Sequence, residues 1–227
     1  MASAFRKALE AAVLERHCMN HPLTNEWAKG KVSRNAMMGW GVQHYHWVTK
    51  MREPNFTVCS KAPTDVVLSE LENFHEENDP KKPHRNMVLH FAEVNGANLK
   101  EVRSGRGLPT TSAWTDWLTR VTREQPWYCG LAAIRVGTES QSPKLYGKLL
   151  PALRKIYKFK ETDIEHFWVH AEADIEHGER GYAILERHCK TREEKDMAVY
   201  YAGESARMRW FYFDGIYLHY QKGYALA

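Results

Sequence analysis

His170, Asp174 and His177 fall within the stretch Val169 to Arg180, VHAEADIEHGER. At 3.6 residues per turn they stand at i, i+4 and i+7, inside an arc of roughly 60° on one helix face. Two imidazoles and a carboxylate projecting together form a donor set suited to a first-row transition metal. Glu172, Glu176 and Glu179 fall on other faces, where Arg180 stands at i+4 from Glu176. Chance spacing on a solvated helix is the competing explanation. The narrowness of the stripe, beside Phe167, Ala171 and Ile175, favours the metal.

The rest of the chain must position that face. At 227 residues it is long enough for one sizeable core, and the expectation is a single domain over residues 1–227. A net charge of +4, with no basic run, gives no reason to expect nucleic acid. No apolar run reaches membrane-spanning length. Cys18, Cys59, Cys129 and Cys189 are scattered, without C-x-x-C, which fits a reducing cytoplasm.

Periodicity is helical throughout. Phe5, Leu9, Ala12 and Val13 mark a first helix; Ser33 can cap a second, striped by Met37, Trp40, His44, Trp47, Val48 and Met51 and ended by Pro54. A third runs from about Thr64 to Asn78, and a fourth opens at Pro83, carries His84, Met87, Val88 and Phe91 on one face, and stops at Gly96. The region Arg103 to Thr111 reads as loop. A short fifth helix holds Trp114 and Leu118, a sixth runs from Pro126 to about Glu139, and a seventh opens at Pro143. Thr162 with Glu165, and Thr191 with Glu194, read as capping boxes for the last two. The fold class is all-α, a bundle of about eight or nine helices.

A two-metal centre needs further carboxylates. His84 continues the stripe of its helix, and Glu139 follows Cys129, Ala132 and Val136 at helical spacing. Periodicity leaves Glu76 and Glu77 open as alternatives. His44, between Trp40 and Trp47, is a candidate pocket residue, as are those two tryptophans, against the plainer reading of a core histidine. His166 is a candidate partner for His170, although a surface histidine is the simpler expectation. Lys144 and Lys148 read as solvated, and the aromatic run from Tyr200 to Tyr220 as core packing.

Four stretches give the chain a family likeness. They are HAEADIEH around His170; Glu139-Ser-Gln-Ser-Pro143; Glu76-Glu77-Asn78 with His84 following; and Asn20-His21-Pro22 followed by Trp27-Ala-Lys-Gly30. Together they resemble the haem-oxygenase-like di-iron oxidases, a group related to quinone-forming and thiaminase-like proteins. The first two motifs are specific; the last is shared with metal-free members of the fold. The resemblance implies a haem-oxygenase-like bundle and six ligands, Glu77, His84, Glu139, His170, Asp174 and His177, holding two Fe(II) ions, with manganese compatible with one position. It also implies dioxygen as co-substrate and a pocket under the second, eighth and ninth helices for a small amino acid or related acid or amine. Such a substrate would undergo C–C cleavage, desaturation or N-oxygenation. An external electron donor and a homodimer are compatible with it.

The same fold also supports a cofactor-free oxidase and a thiaminase-like hydrolase, whose nucleophile Cys129 resembles. A small buried thiol is the plainer reading of Cys129. The branch that makes para-aminobenzoate from its own tyrosine carries that residue where Thr24 stands here, so this activity ranks lower.

Overall fold

Residues 2–226, the portion described by the computed structural model, contain helices and turns and no strand. The helices are α1 (Ala4–Leu14), α2 (Pro22–Ala28), α3 (Arg34–Val48), α4 (Arg52–Cys59), α5 (Thr64–Glu77) and α6 (His84–Val94). There follow α7 (Leu99–Ser104), α8 (Pro109–Glu124), α9 (Trp127–Leu131), α10 (Ser142–Lys155), α11 (Glu165–His188) and α12 (Arg192–Ile216).

This is more helices than the expected eight or nine, because three short ones escape a periodicity reading. Pro54 does not end the second helix. That helix stops at Val48, and Pro54 sits in the first turn of α4, where a missing N–H costs little. Likewise α2 lies within the motif around His21, and α7 enters the supposed loop.

Local chemistry explains most boundaries. Ser33 Oγ accepts from the Ala36 N–H at the start of α3, and Thr191 with Glu194 closes a capping box on α12. The other expected box is not made: α11 begins after Ile164 with no side-chain cap. His21 takes part in the fold itself. Its Nδ1 accepts from the Leu23 N–H at 3.0 Å and its Nε2 lies 3.0 Å from Asp214 Oδ1, which ties α2 to α12.

A continuous apolar core joins α2, α3, α6, α10, α11 and α12. At its centre the Phe167 ring stacks on Trp40 at 4.8 Å and meets Phe91 edge-on at 4.9 Å. The expected sixth helix breaks in the middle. After α9 the chain widens into a π turn over Ala132–Val136, with Gly137 N–H donating to Ala132 O at 2.7 Å, and then makes a single 3-10 turn over Glu139–Gln141. Such widened turns recur at functional sites because they re-aim the side chains that follow. Two glycines of α11 admit this segment. A Cβ at Gly181 would stand 2.6 Å from Arg135 Cβ, and one at Gly178 would stand 3.3 Å from Ser140 Cα.

Candidate metal centre

The single-face reading of α11 holds. His170, Asp174 and His177 are buried, whereas Glu172, Glu176 and Glu179 are exposed. Ile175, read as a flank of the stripe, is 56% exposed. The C-terminal end of α5 and the first residue of α6 meet this face. Glu77 Oε2 lies 2.9 Å from His84 Nδ1, and Glu77 Oε1 lies 3.6 Å from His170 Nε2.

Two donor groups result. Glu77, His84 and His170 offer ligand atoms within 4.8 Å of one another, and so do Glu77, Asp174 and His177. Glu77 belongs to both, which favours it over Glu76. The latter pairs with His177 Nε2 at 2.6 Å and with Arg180 at 3.2 Å.

The orientation of the donors suits a cation. His170 Nδ1–H donates to the His166 carbonyl at 2.8 Å, leaving Nε2 aimed at Glu77. The expectation of a surface His166 is thereby corrected. It is 1% exposed, its backbone orients His170, and its Nε2 lies 3.3 Å from the Tyr146 hydroxyl. His84 Nδ1 is buried without a hydrogen bond, despite its closeness to Glu77, and Glu139 Oε2 is buried with no partner. Orphaned donor atoms in a buried cluster are costly, and a metal ion is the usual remedy.

Glu139 stands apart from the two groups. Its other oxygen pairs with Arg135, whose guanidinium is also gripped by Glu70 at 2.6 Å. This buried Glu70–Arg135–Glu139 chain had no signature in the sequence, because its members come from distant segments and a π turn. Burial pushes the Glu139 carboxyl above its usual range, against the pull of Arg135.

Charge is otherwise balanced by protons. Burial alone would lower the His170 and His177 imidazoles, but Glu77 for the first, and Asp174, Glu139 and Glu76 for the second, raise each to about 9. Glu77, although burial opposes it, is held well below the usual carboxylate range by the neighbouring imidazoles of His170 and His84.

The cluster opens onto a cavity of about 350 Å³, lined also by Trp47, Met51, Phe74, Tyr146, Arg135 and Arg209. Of the three expected pocket residues, His44 and Trp47 line it. Trp40 does not; it lies behind, stacked on His44 at 4.6 Å. Lys148 instead bonds Met19 O and Asn25 Oδ1, each at 2.7 Å. Cys129 is buried away from the cavity, and burial pushes its thiol up to about 12. Thr24 is fully buried and its hydroxyl donates to Cys18 O at 2.7 Å.

This helical arrangement is the haem-oxygenase-like fold. A Shewanella denitrificans domain of unknown function, described as having a heme oxygenase-like fold, superposes with a TM-score of 0.78 at 20% identity, over 98% of this chain and 95% of that one. A TenA homologue from Pseudomonas syringae superposes with a TM-score of 0.80 at 12% identity, over 94% and 92%. Residues 38–210 match the family described as iron-containing redox enzymes, and the chain belongs to that family. A 4-aminobenzoate synthase of Nitrosomonas europaea is 26% identical over 96% of this chain and 93% of its own length. A pyrroloquinoline-quinone synthase of Granulibacter bethesdensis is 23% identical over 94% and 85%. No helix of the described residues is long and apolar enough to cross a membrane.

Proposed function

We propose that the protein is a non-haem di-iron oxidase or oxygenase that uses dioxygen to oxidise a small carboxylic acid or amine, an amino acid being the leading class. The observation that carries this reading is the sharing of Glu77 between two donor groups, which is the arrangement a bridging carboxylate requires. Glu77, His84 and His170 would hold one ion; Asp174 and His177, with Glu77 and a swung Glu139, would hold the other. Manganese at one position is compatible, since such ligands select weakly.

Two ferrous ions, when bound, would supply the electrons and open positions that dioxygen reduction needs. The chain does the rest. The His166 carbonyl fixes the tautomer of His170. Asp174 accepts from His177 Nδ1 at 3.2 Å. Arg135 holds Glu139 beside the cluster, where a bound cation would compete for it. Trp47 and Met51 give the cavity an apolar side that keeps water from the reacting group.

Anaerobic titration with Fe(II) tests the proposal. About two equivalents should bind, Asp174→Ala should lose one, and Glu176→Ala should lose none. Equal losses in both variants would show that the α11 face is not the ligand face.

A second reading, para-aminobenzoate formation from the protein's own tyrosine, has relatives bearing that name in its favour. Thr24 counts against it. Intact-mass measurement after turnover separates the two, since a sacrificed tyrosine changes the mass of the chain. For a thiaminase-like hydrolase, the position and protonated state of Cys129 are unfavourable.

A further inference from the structure

Arg209 is 2% exposed and lines the cavity. Of the five N–H groups a guanidinium carries, one on Nη1 donates to Thr138 O and one on Nη2 reaches Ser142 Oγ at 3.5 Å. Nε–H and the remaining hydrogens have no protein partner among the described residues. Nor does Arg209 make an ion pair there. Its lining neighbour Arg135 is paired twice, with Glu70 and Glu139.

The carboxylates near Arg209 are engaged elsewhere: Glu77 lies beside His84, Glu139 is paired with Arg135, Asp174 with His177 and Asp214 with His21. Burial, reinforced by Arg209, holds His44 well below its ordinary value and lowers His17 to about 3. Burial keeps the phenols of Tyr146 and Tyr212 protonated and pushes Cys18 up to about 12. A buried cation with no ion-pair partner of its own carries a desolvation cost that its two hydrogen bonds offset only in part. Such a group persists where a ligand completes it. Two exposed arginines, Arg52 and Arg85, flank the open side of the same cavity, so an anion meets positive potential on its way in.

We propose that Arg209 is the seat of a substrate carboxylate: a small monocarboxylic acid docks its carboxylate on the free edge of this guanidinium, lays its body against Trp47 and Met51, and presents its other end to Glu77, His170 and Asp174. The cavity sets the size class. A cavity of about 350 Å³ lies at the small end for ligand sites, which suits a compact acid and not a long-chain lipid. The inference rests on the oxidase reading for what happens to the acid, and on the cavity alone for its binding.

The probe is 4-fluorobenzoate, with neutral 4-fluorobenzamide as its isostere, followed by ¹⁹F NMR and thermal shift on metal-free protein. The acid should bind and raise Tm, and the amide should bind roughly tenfold or more weakly, the usual scale for a lost charge-assisted bidentate contact. Arg209→Gln should bind the acid no better than the amide. Arg209→Lys, which keeps a cation but not the fork, should fold and retain part of the preference. His170→Gln should keep it. Because Arg209 has no ion-pair partner, Arg209→Met without ligand should melt no lower than the wild type, a result that a purely structural arginine would not give. Loss of acid binding in His170→Gln with retention in Arg209→Gln would place the carboxylate on the metal face and overturn the proposal. Equal binding of acid and amide would do the same. Iron titration of the wild type is read separately: Arg209-dependent acid binding without iron uptake would sink the oxidase reading and leave this one standing.

Discussion

The two regions that flank the cavity are built on different physics. One is aromatic: Trp47 and Tyr146 line the cavity, and behind them Phe167 is wedged between Trp40 and Phe91 while Trp47 stacks on Trp114 at 4.8 Å. The other is ionic, where α5 turns Glu70, Asn73 and Glu77 inward while leaving Leu68 and Leu71 largely exposed. Apolar burial forms the first side whatever the solution contains. Charge pairing holds the second, and Glu77, one of its members, is itself a metal-ligand candidate. A scaffold of this kind keeps one side of the site rigid and lets the other respond to what binds.

The strongest test of that contrast is a pair of substitutions. Phe167→Ala should cost about 3–5 kcal/mol of stability, the range for a large buried aromatic, and the loss should be the same with and without Fe(II). Glu77→Gln should leave the metal-free fold nearly intact but weaken iron uptake at both positions by roughly 100-fold or more, beyond the loss seen when an outer partner is removed. Denaturant melts and iron titrations measure the two effects. Equal metal dependence in both variants would erase the distinction between the sides.

pH should separate them next, with opposite signs. On the ionic side His170 and His177 are raised to about 9, so the native state holds more protons than the unfolded state between about 6.5 and 9. Their contribution is complete below about 6.5 and is lost as pH rises towards 9, on the order of 2 kcal/mol. On the aromatic side burial, with Arg209 acting on His44 and His170 on His166, lowers both imidazoles well below the ordinary value. There the unfolded state gains protons first, so stability falls as pH drops below about 6.5. Urea midpoints of metal-free protein across pH should therefore peak near neutrality. His177→Gln should flatten the alkaline limb and leave the acid limb. A profile in which that variant flattens the acid limb instead would reverse the assignment.

The ionic side was the more legible of the two in sequence, for a local reason. Helical spacing alone separates His170, Asp174 and His177 from Glu172, Glu176 and Glu179, because all six share one continuous helix. His84 was legible as the continuation of its helix's stripe, whereas Glu77 entered through resemblance, since periodicity does not separate it from Glu76 and both do reach histidines. The Glu70–Arg135–Glu139 chain was not legible, because a π turn shifts the phase between Arg135 and Glu139, and Glu70 is 65 residues away from Arg135. Arg209 was hidden inside a run of aromatic residues that reads as packing. The bundle followed from pattern, whereas the short α2, α4 and α7 did not, because a helix of two turns barely displays a period.

The smallest expected effect lies along α11 itself, which spans both sides. Its first turn lacks a side-chain cap, yet Ile164 and Phe167 are buried in the core. Asp174 and His177 instead face α5, whose inward residues are polar. Without metal this second half is held by imidazolium–carboxylate pairs, and pairing by a cation should hold it more firmly. Amides of residues 174–180 and 70–77 should exchange roughly tenfold more slowly once Fe(II) is bound, equivalent to about 1.4 kcal/mol of local opening. Amides of residues 165–168 should be indifferent to iron. A 19F-labelled or unlabelled small acid added afterwards should slow residues 205–212 on α12 if Arg209 closes on it. Hydrogen exchange resolved by mass spectrometry reads all three segments in one experiment. Uniform protection along α11 in both states would mean that the ionic side is pre-organised as firmly as the aromatic one. The two-sided account of the cavity would then fail at the element that joins its halves.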